Sequence, residues 1–143
     1  MVPKLTIRLF GKLNVLVYRI SKGNVGGAGL GLPILLLTTT GRKSGKLRTT
    51  PLSYLTDGPR YVIIGSFGGH RVHPAWFHNL RADPQVTVQV KKIRTPMTAR
   101  VATPEERKIL WSRLDGVAPH YRRYQARTSR EVPLVFLEPT SGS

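Results

Sequence analysis

The spacing of hydrophobic and polar positions changes along the chain. Between residues 4 and 22, apolar side chains recur every three or four positions and the cations fall on the opposite side, which predicts an amphipathic helix. Residues 23–33 contain five glycines and end at Pro33, which indicates a flexible linker or loop. From Ile34 onward, short apolar runs alternate with turn signals, as is typical of strands.

The later segments predict several strands and three short helices. The strands cover residues 34–40, 47–55, 61–66, 86–90, 94–102 and 132–137, with hairpin signals at 57–58 and 91–92. Pro96 should make its strand irregular or place it at an edge. The helices begin at Pro74, at Pro104 and near residue 120, and the second has a capping box of Thr103 and Glu106.

This order of elements predicts a small α+β domain in which an antiparallel sheet closes into a barrel with helices packed outside it. We expect residues 1–32 to form the amphipathic helix and linker, residues 33–139 the barrel domain, and residues 140–143 a tail. The length of 143 residues fits one such domain.

Charge and composition narrow the function classes. Lys plus Arg total 23 and Asp plus Glu total 7, so the net charge is +16, and nine cations precede the first acidic residue, Asp57. Such a surface suits nucleic acid, an anionic membrane or a small phosphorylated ligand. The absence of cysteine excludes disulfides and thiolate chemistry. No apolar run is long enough to span a membrane, so we expect a cytoplasmic protein.

Two segments carry candidate chemistry. The turn Gly41-Arg42-Lys43-Ser44-Gly45-Lys46, with Arg48 just after it, resembles a phosphate cradle, although it lacks the P-loop spacing and could be an ordinary basic hairpin turn. The second segment joins Gly65-Ser66-Phe67-Gly68-Gly69 to His73-Pro74-Ala75-Trp76-Phe77-His78-Asn79. A flat heterocycle could stack there, or Trp76 and Phe77 could be core residues.

Other candidates are weaker. His73 and His78 are five residues apart and have no carboxylate nearby, so no metal site is expected. Ser66 lacks the elbow motif of an acyl-transfer nucleophile. Tyr121 and Tyr124 share a helix face and could donate protons to a ligand or simply be structural.

These motifs together resemble the signature of the actinobacterial deazaflavin-dependent nitroreductases. The likeness runs in order from about residue 33 to 139 and includes 36–48, 65–69, 73–80, Tyr121, 124–128 and 132–134. The resemblance implies a split β-barrel of the flavin-reductase kind and coenzyme F420, an 8-hydroxy-5-deazaflavin with an anionic tail. It also implies hydride transfer from the reduced cofactor to a quinone, nitroaromatic or other activated acceptor.

The resemblance also assigns roles by position. The anionic side of the cofactor would be held by Arg42, Lys43, Ser44, Gly45, Lys46, Leu47 and the adjoining Arg48. The deazaflavin ring would be lined by Ser66, Phe67 and Gly68, by Ala75, Trp76, Phe77, His78 and Asn79, and by Tyr121. Ser66, Tyr121 and Tyr124 would face the reacting groups, while Ala118 stands where the family has a further tyrosine.

Two alternatives stay open beside this reading: a deazaflavin carrier without catalysis, and a basic nucleic-acid-binding module. The reductase reading itself involves no nucleic acid. We also expect a monomer, and contact of residues 4–22 with the inner face of the cell membrane competes with packing of that helix on the barrel.

Overall fold

The computed structural model describes residues 28–29, 32–66, 69 and 71–140. Within these ranges the strands are β1 (Ala28–Gly29), β2 (Leu32–Thr40), β3 (Leu47–Asp57), β4 (Arg60–Ile64), β5 (Gln85–Val90), β6 (Ile93–Val101) and β7 (Leu134–Pro139). The helices are α1 (Ala75–Ala82), α2 (Pro104–Val117) and α3 (His120–Ala126).

The strands form one antiparallel sheet that closes into a barrel. Their order is β1-β2-β3-β4-β7-β6-β5, and β5 pairs back with β2. This closing contact comprises three residue pairs, Leu36–Gln89, Leu37–Val88 and Thr38–Thr87, whereas β2 and β3 are joined by seven. The predicted α+β barrel is therefore confirmed.

Alternation along the strands creates two cores, because successive residues point to opposite faces. In β4, Ile63 points into the barrel, whereas Val62 and Ile64 point outward under α2 and α3. β7 behaves in the same way, with Val135 inside and Phe136 outside. Both strands are apolar at consecutive positions because both of their faces are covered.

Helix α1 has a different place from the other two helices. Its Trp76, Phe77 and Leu80 belong to the cluster inside the barrel and are 6%, 4% and 2% exposed. Helices α2 and α3 pack on the outer face, as predicted for helices in general. Helix α1 therefore packs its apolar side against the interior cluster, whereas α2 and α3 cover the outer face of the sheet.

Helix α2 begins with the predicted capping box. The Thr103 hydroxyl accepts the Glu106 N–H at 3.3 Å, and the Glu106 carboxylate accepts the Thr103 N–H at 2.9 Å. The same carboxylate takes two hydrogen bonds from Arg100 of β6, at 2.8 and 3.0 Å. Glu106 thus ties the start of α2 to the barrel wall.

Most predicted boundaries agree with the observed ones to within two or three residues. Strand β1 and the start of β2 lie inside the segment predicted as a flexible linker. β6 pairs with β7 only from Met97 onward, so Pro96, which lacks an N–H, lies where β5 is the one partner of β6. The amphipathic helix predicted over 4–22 lies outside the described residues, as do residues 141–143.

None of the helices in the described ranges is long and apolar enough to cross a bilayer.

The Arg100–Glu106 contact predicts a pH-dependent contribution to stability. Hydrogen bonds from Arg100 lower the pKa of Glu106 from its ordinary value of 4.5 to about 2. The contribution is therefore fully present above about pH 4.5 and is lost as the pH falls towards 2. We expect Glu106→Gln to lower the free energy of unfolding by about 1 kcal/mol at pH 7, since the pair is partly exposed and water screens it.

Urea unfolding at pH 7 and pH 2.5 measures this effect. Glu105→Gln is the matched control, because Glu105 is exposed in the same first helical turn. An equal loss of stability at both pH values would show that the charge of Glu106 does not act as described.

Candidate functional site

The basic turn between β2 and β3 is closed by its own backbone. The Gly41 N–H donates to the Lys46 carbonyl at 2.7 Å, and the Gly45 N–H donates to the Gly41 carbonyl at 2.8 Å. Gly45 has a φ of 71°, a conformation that favours glycine. The Ser44 hydroxyl accepts the Lys46 N–H at 3.1 Å. The two glycines therefore shape the turn, and their N–H groups are already used within it.

A buried asparagine fixes this turn to helix α1. The Asn79 side-chain oxygen accepts the Arg42 N–H at 3.1 Å, and its NH₂ group donates to the Thr39 hydroxyl at 3.2 Å. Asn79 is 6% exposed. The structure thus brings together two segments, 41–46 and 75–79, that the sequence separates by about thirty residues.

The side-chain charge of the turn is directed outward. Its cations Arg42, Lys43, Lys46 and Arg48 are all exposed. Among the described residues, the ion pairs involve arginines 60, 100, 107, 113 and 122, and none includes a cation of the turn. Four cations on one short turn without an acidic partner there are a good match for an external polyanion.

The segment after β4, of which the structure describes Gly65, Ser66 and Gly69, contacts α3 and the residue before β7. The Gly65 N–H donates to the Pro133 carbonyl at 2.9 Å, and the Gly69 N–H donates to the Ser66 carbonyl at 2.9 Å. A Cβ at Gly69 would lie 2.9 Å from the Tyr124 carbonyl oxygen, and its φ is 77°. Only glycine fits there without displacing the loop from α3.

Helix α3 places two tyrosines beside this segment. Their ring centroids are 5.8 Å apart, and Tyr121 is 6% exposed whereas Tyr124 is half-buried. Burial raises the pKa of Tyr121, and its hydrogen bond with the Ser53 side chain of β3 opposes that rise. Tyr121 therefore keeps its proton at neutral pH and can act as a hydrogen-bond donor.

The histidines of the site stay neutral. Burial is the largest cause that lowers the pKa of His73, His78 and His120, followed by the charge of a nearby arginine, which for His78 is Arg42. Within the described residues, no three histidine or acidic side chains are grouped as metal ligands.

The ring contacts assigned to Trp76 and Phe77 stay a prediction. Both side chains belong to the cluster inside the barrel and are 6% and 4% exposed. Ala118, in place of the family's further tyrosine, is 1% exposed in the outer core. Ala75 is exposed, His78 is half-buried and Ser66 is buried, while Phe67 and Gly68 lie outside the described residues.

Sequence reasoning missed two contributors. Ser53 supports Tyr121, and Arg130 binds the carbonyls of Gly65 and Ser66 at 3.0 and 2.7 Å. Neither residue lies in a motif. The acceptors of Arg130 are main-chain carbonyls, which every residue has, so residue types cannot indicate this contact.

The chain matches the model of the F420H(2)-dependent quinone reductase family over residues 10–139 and belongs to that family. A curated F420H(2)-dependent quinone reductase of Mycobacterium tuberculosis is 40% identical over 130 residues, covering 88% of this chain and 87% of that protein. The resemblance to deazaflavin-dependent reductases is confirmed: the chain is an F420-dependent oxidoreductase with a split β-barrel.

Solved structures agree. One described as an F420-H2 dependent reductase is 40% identical, with a TM-score of 0.67 over 74% of this chain and 94% of that one. Another, described as a domain-swapped dimer, is 37% identical, with a TM-score of 0.69 over 89% and 97%. That neighbour is a dimer, so it gives no support to the monomer expected for this chain.

The residues present fit coenzyme F420. The unpaired cations of the turn suit its anionic side. Gly65 and Gly69 let the backbone after β4 lie against Pro133 and Tyr124, and the rings of Tyr121 and Tyr124 contact each other in α3. A hydride carrier requires no nucleophile or metal from the protein.

Proposed function

We propose that this chain reduces a quinone at the site formed by the basic turn, the segment after β4 and the tyrosines of α3. The observation that carries the proposal is a chain of contacts joining these parts. Asn79 of α1 accepts the Arg42 N–H, and the ring of Phe77, in the same helix, contacts His73. His73 lies 3.0 Å from Arg130, which binds the Ser66 carbonyl, and that carbonyl accepts the N–H of Gly69, which packs against Tyr124. When bound, reduced F420 supplies a hydride, and the quinone takes up that hydride and a proton to become a quinol.

The protein's part is to bind and orient. The side chains of Arg42, Lys43, Lys46 and Arg48 hold the anionic side of the cofactor, with Ser44, Gly45 and Leu47 completing the turn. Ser66, Ala75 and His78 border the ring. Asn79 does not touch the cofactor in this proposal, because both ends of its amide are used to place the turn.

Negative charge develops on the quinone oxygen as the hydride arrives. Tyr121 is the donor best suited to meet it, because its hydroxyl is kept protonated by burial and is fixed by Ser53. The ring of Tyr124 lies against the ring of Tyr121 and lines the side of the site where the quinone binds in this proposal.

Oxidation of reduced F420 by menadione, followed by loss of the F420H2 signal, tests the function itself. Turnover separates a reductase from a protein that only carries the cofactor. Absence of both binding and turnover at micromolar F420 would end the proposal.

Removing charge from the turn should weaken cofactor binding. We expect the double variant Arg42→Gln, Lys43→Gln to raise the Kd for F420 about tenfold to a hundredfold, because two charge-assisted contacts are lost. The salt dependence of binding should also become shallower. Fluorescence titration at two salt concentrations measures both effects.

The matched control for the turn is Lys92→Gln with Lys108→Gln, which removes the same charge from exposed positions elsewhere on the barrel and on α2. Equal weakening by both double variants would mean that net charge acts and that the turn has no special role.

Tyr121→Phe tests the proposed donor. We expect kcat with menadione to fall about 10²-fold, since one hydrogen bond to the developing charge is lost. The Kd for F420 should change little. Tyr61→Phe, at a half-buried tyrosine of the barrel wall, is the control. A kcat within twofold of the unaltered protein would exclude Tyr121 as the donor.

Residues 4–22, which lie outside the described residues, carry a separate proposal drawn from their sequence alone. Their cations and apolar side chains fall on opposite sides of a helical projection, as in helices that lie on anionic membranes. Replacing Lys4, Arg8 and Lys12 by Gln should reduce pelleting with phosphatidylglycerol vesicles several-fold. The Lys92, Lys108 double variant should not reduce it, and equal pelleting of all three proteins would refute membrane docking.

A further inference from the structure

Arg130 lies between α3 and β7, outside every motif, yet its side chain reaches into the site. One guanidinium nitrogen donates to the Gly65 carbonyl at 3.0 Å and lies 3.0 Å from Nδ1 of His73. The other donates to the Ser66 carbonyl at 2.7 Å. The guanidinium is half-buried and spans two consecutive carbonyls, the fork geometry to which arginine is suited.

The backbone of Arg130 is itself anchored. Its carbonyl accepts a hydrogen bond from the Gln125 side chain at 2.7 Å. The oxygen of that same Gln125 side chain accepts the Val132 N–H at 2.8 Å. Gln125 therefore fixes the backbone of Arg130, and the Arg130 side chain in turn fixes the carbonyls of Gly65 and Ser66.

The contact with His73 defines a protonation state. A guanidinium has only donors, so Nδ1 of His73 must present its lone pair, and the imidazole is neutral with its proton on Nε2. Burial is the main cause that lowers the pKa of His73, with the charges of Arg130, His78 and Arg81 adding to it. These groups face His73 from the α3–β7 connection and from α1.

We propose that Arg130, with neutral His73 as its third partner, is a positioning residue that sets where Ser66 meets the deazaflavin ring. The proposal rests on the proposed function, because it takes the ring to lie beside Ser66. The Ser66 carbonyl also accepts the Gly69 N–H, and Gly69 lies against Tyr124. Arg130 therefore fixes the carbonyls of Gly65 and Ser66 and, through Gly69, their position relative to Tyr124.

Arg130→Gln should separate positioning from binding. The turn still holds the anionic side of the cofactor, so we expect the Kd for F420 to stay within threefold. The ring would be misplaced, so kcat with menadione should fall at least tenfold, because a displacement of about 1 Å can slow a reaction by about 10²-fold. Arg130→Lys should recover part of kcat, and Arg123→Gln, an exposed position on α3, is the matched control.

Hydrogen exchange measured without the cofactor tests directly whether Arg130 holds the segment after β4. The Gly69 N–H is bonded to the carbonyl that Arg130 holds, so its hydrogen exchange should become at least tenfold faster in Arg130→Gln and stay unchanged in Arg123→Gln. Unchanged exchange together with an unchanged kcat would overturn the proposal.

The role of His73 has its own test, which does not alter Arg130. His73→Asn keeps an acceptor near the position of Nδ1 but does not titrate, whereas His73→Leu removes the acceptor. In the unaltered protein, kcat should fall as the pH drops below the lowered pKa of His73, since a protonated imidazole repels Arg130. His73→Asn should flatten this acidic limb and keep kcat within threefold at pH 7, and His73→Leu should lose at least tenfold at all pH values.

The outcomes distinguish the two proposals. If the unaltered protein does not oxidise F420H2 with menadione, the proposed function fails. If it does, while Arg130→Gln and His73→Leu keep its kcat, only the positioning role fails. A proportional loss of kcat, F420 affinity and melting temperature in Arg130→Gln, without recovery in Arg130→Lys, would mark Arg130 as merely structural and also overturn the proposal.

Discussion

A buried amide group must satisfy both its donor and its acceptor. Asn79 does so by joining α1, which carries it, to strand β2 and to the basic turn that follows β2. Its oxygen takes the Arg42 N–H and its nitrogen reaches Thr39 at the end of β2. The helix that carries it is fixed by Trp76 and Phe77 inside the barrel. Core packing therefore determines the position of the basic turn. Its exposed cations are held in place because the backbone that carries them is bonded to a buried side chain.

In the candidate site, backbone contacts set the shape and side chains supply the charge and the hydrogen-bond donor. Glycines at 65 and 69 let the segment after β4 approach Pro133 and Tyr124 closely, and Arg130 then fixes its carbonyls. In the proposed function, the exposed cations of the turn bind the cofactor and the Tyr121 hydroxyl, held by Ser53, polarises the acceptor, and neither forms a covalent bond. Such a design suits chemistry that resides in a carried cofactor, where the protein contributes geometry and electrostatics.

The fold was predictable because its signals are local. Alternation in β5, the turn at Gly58, and the pair Thr103 and Glu106 each depend on neighbours within a few residues. The inward direction of α1 was not predictable in the same way. Its apolar positions define one covered face, but they do not say whether a sheet's outer surface or a barrel's interior covers it.

The site was predictable only as far as motifs carry it. The basic turn and the tyrosines of α3 have distinctive side chains, so the family resemblance could assign them to the candidate site, and these assignments stay predictions. The Arg42–Asn79 bond spans 37 residues and the Arg130–Gly65 bond spans 65, and each uses a main-chain group that every residue possesses. Contacts of this kind depend on the folded barrel, so a single sequence gives no signal for them.

The contact between β2 and β5 is the shortest of the strand pairings that close the barrel. It comprises three residue pairs, against four in β3–β4, four in β4–β7 and seven in β2–β3, so few hydrogen bonds must break for the barrel to open there. Parting would turn a cylinder without edges into an open sheet with two unpaired borders. Such borders can exchange strands with a second copy at little cost, because the bonds that are lost within one chain are regained between two.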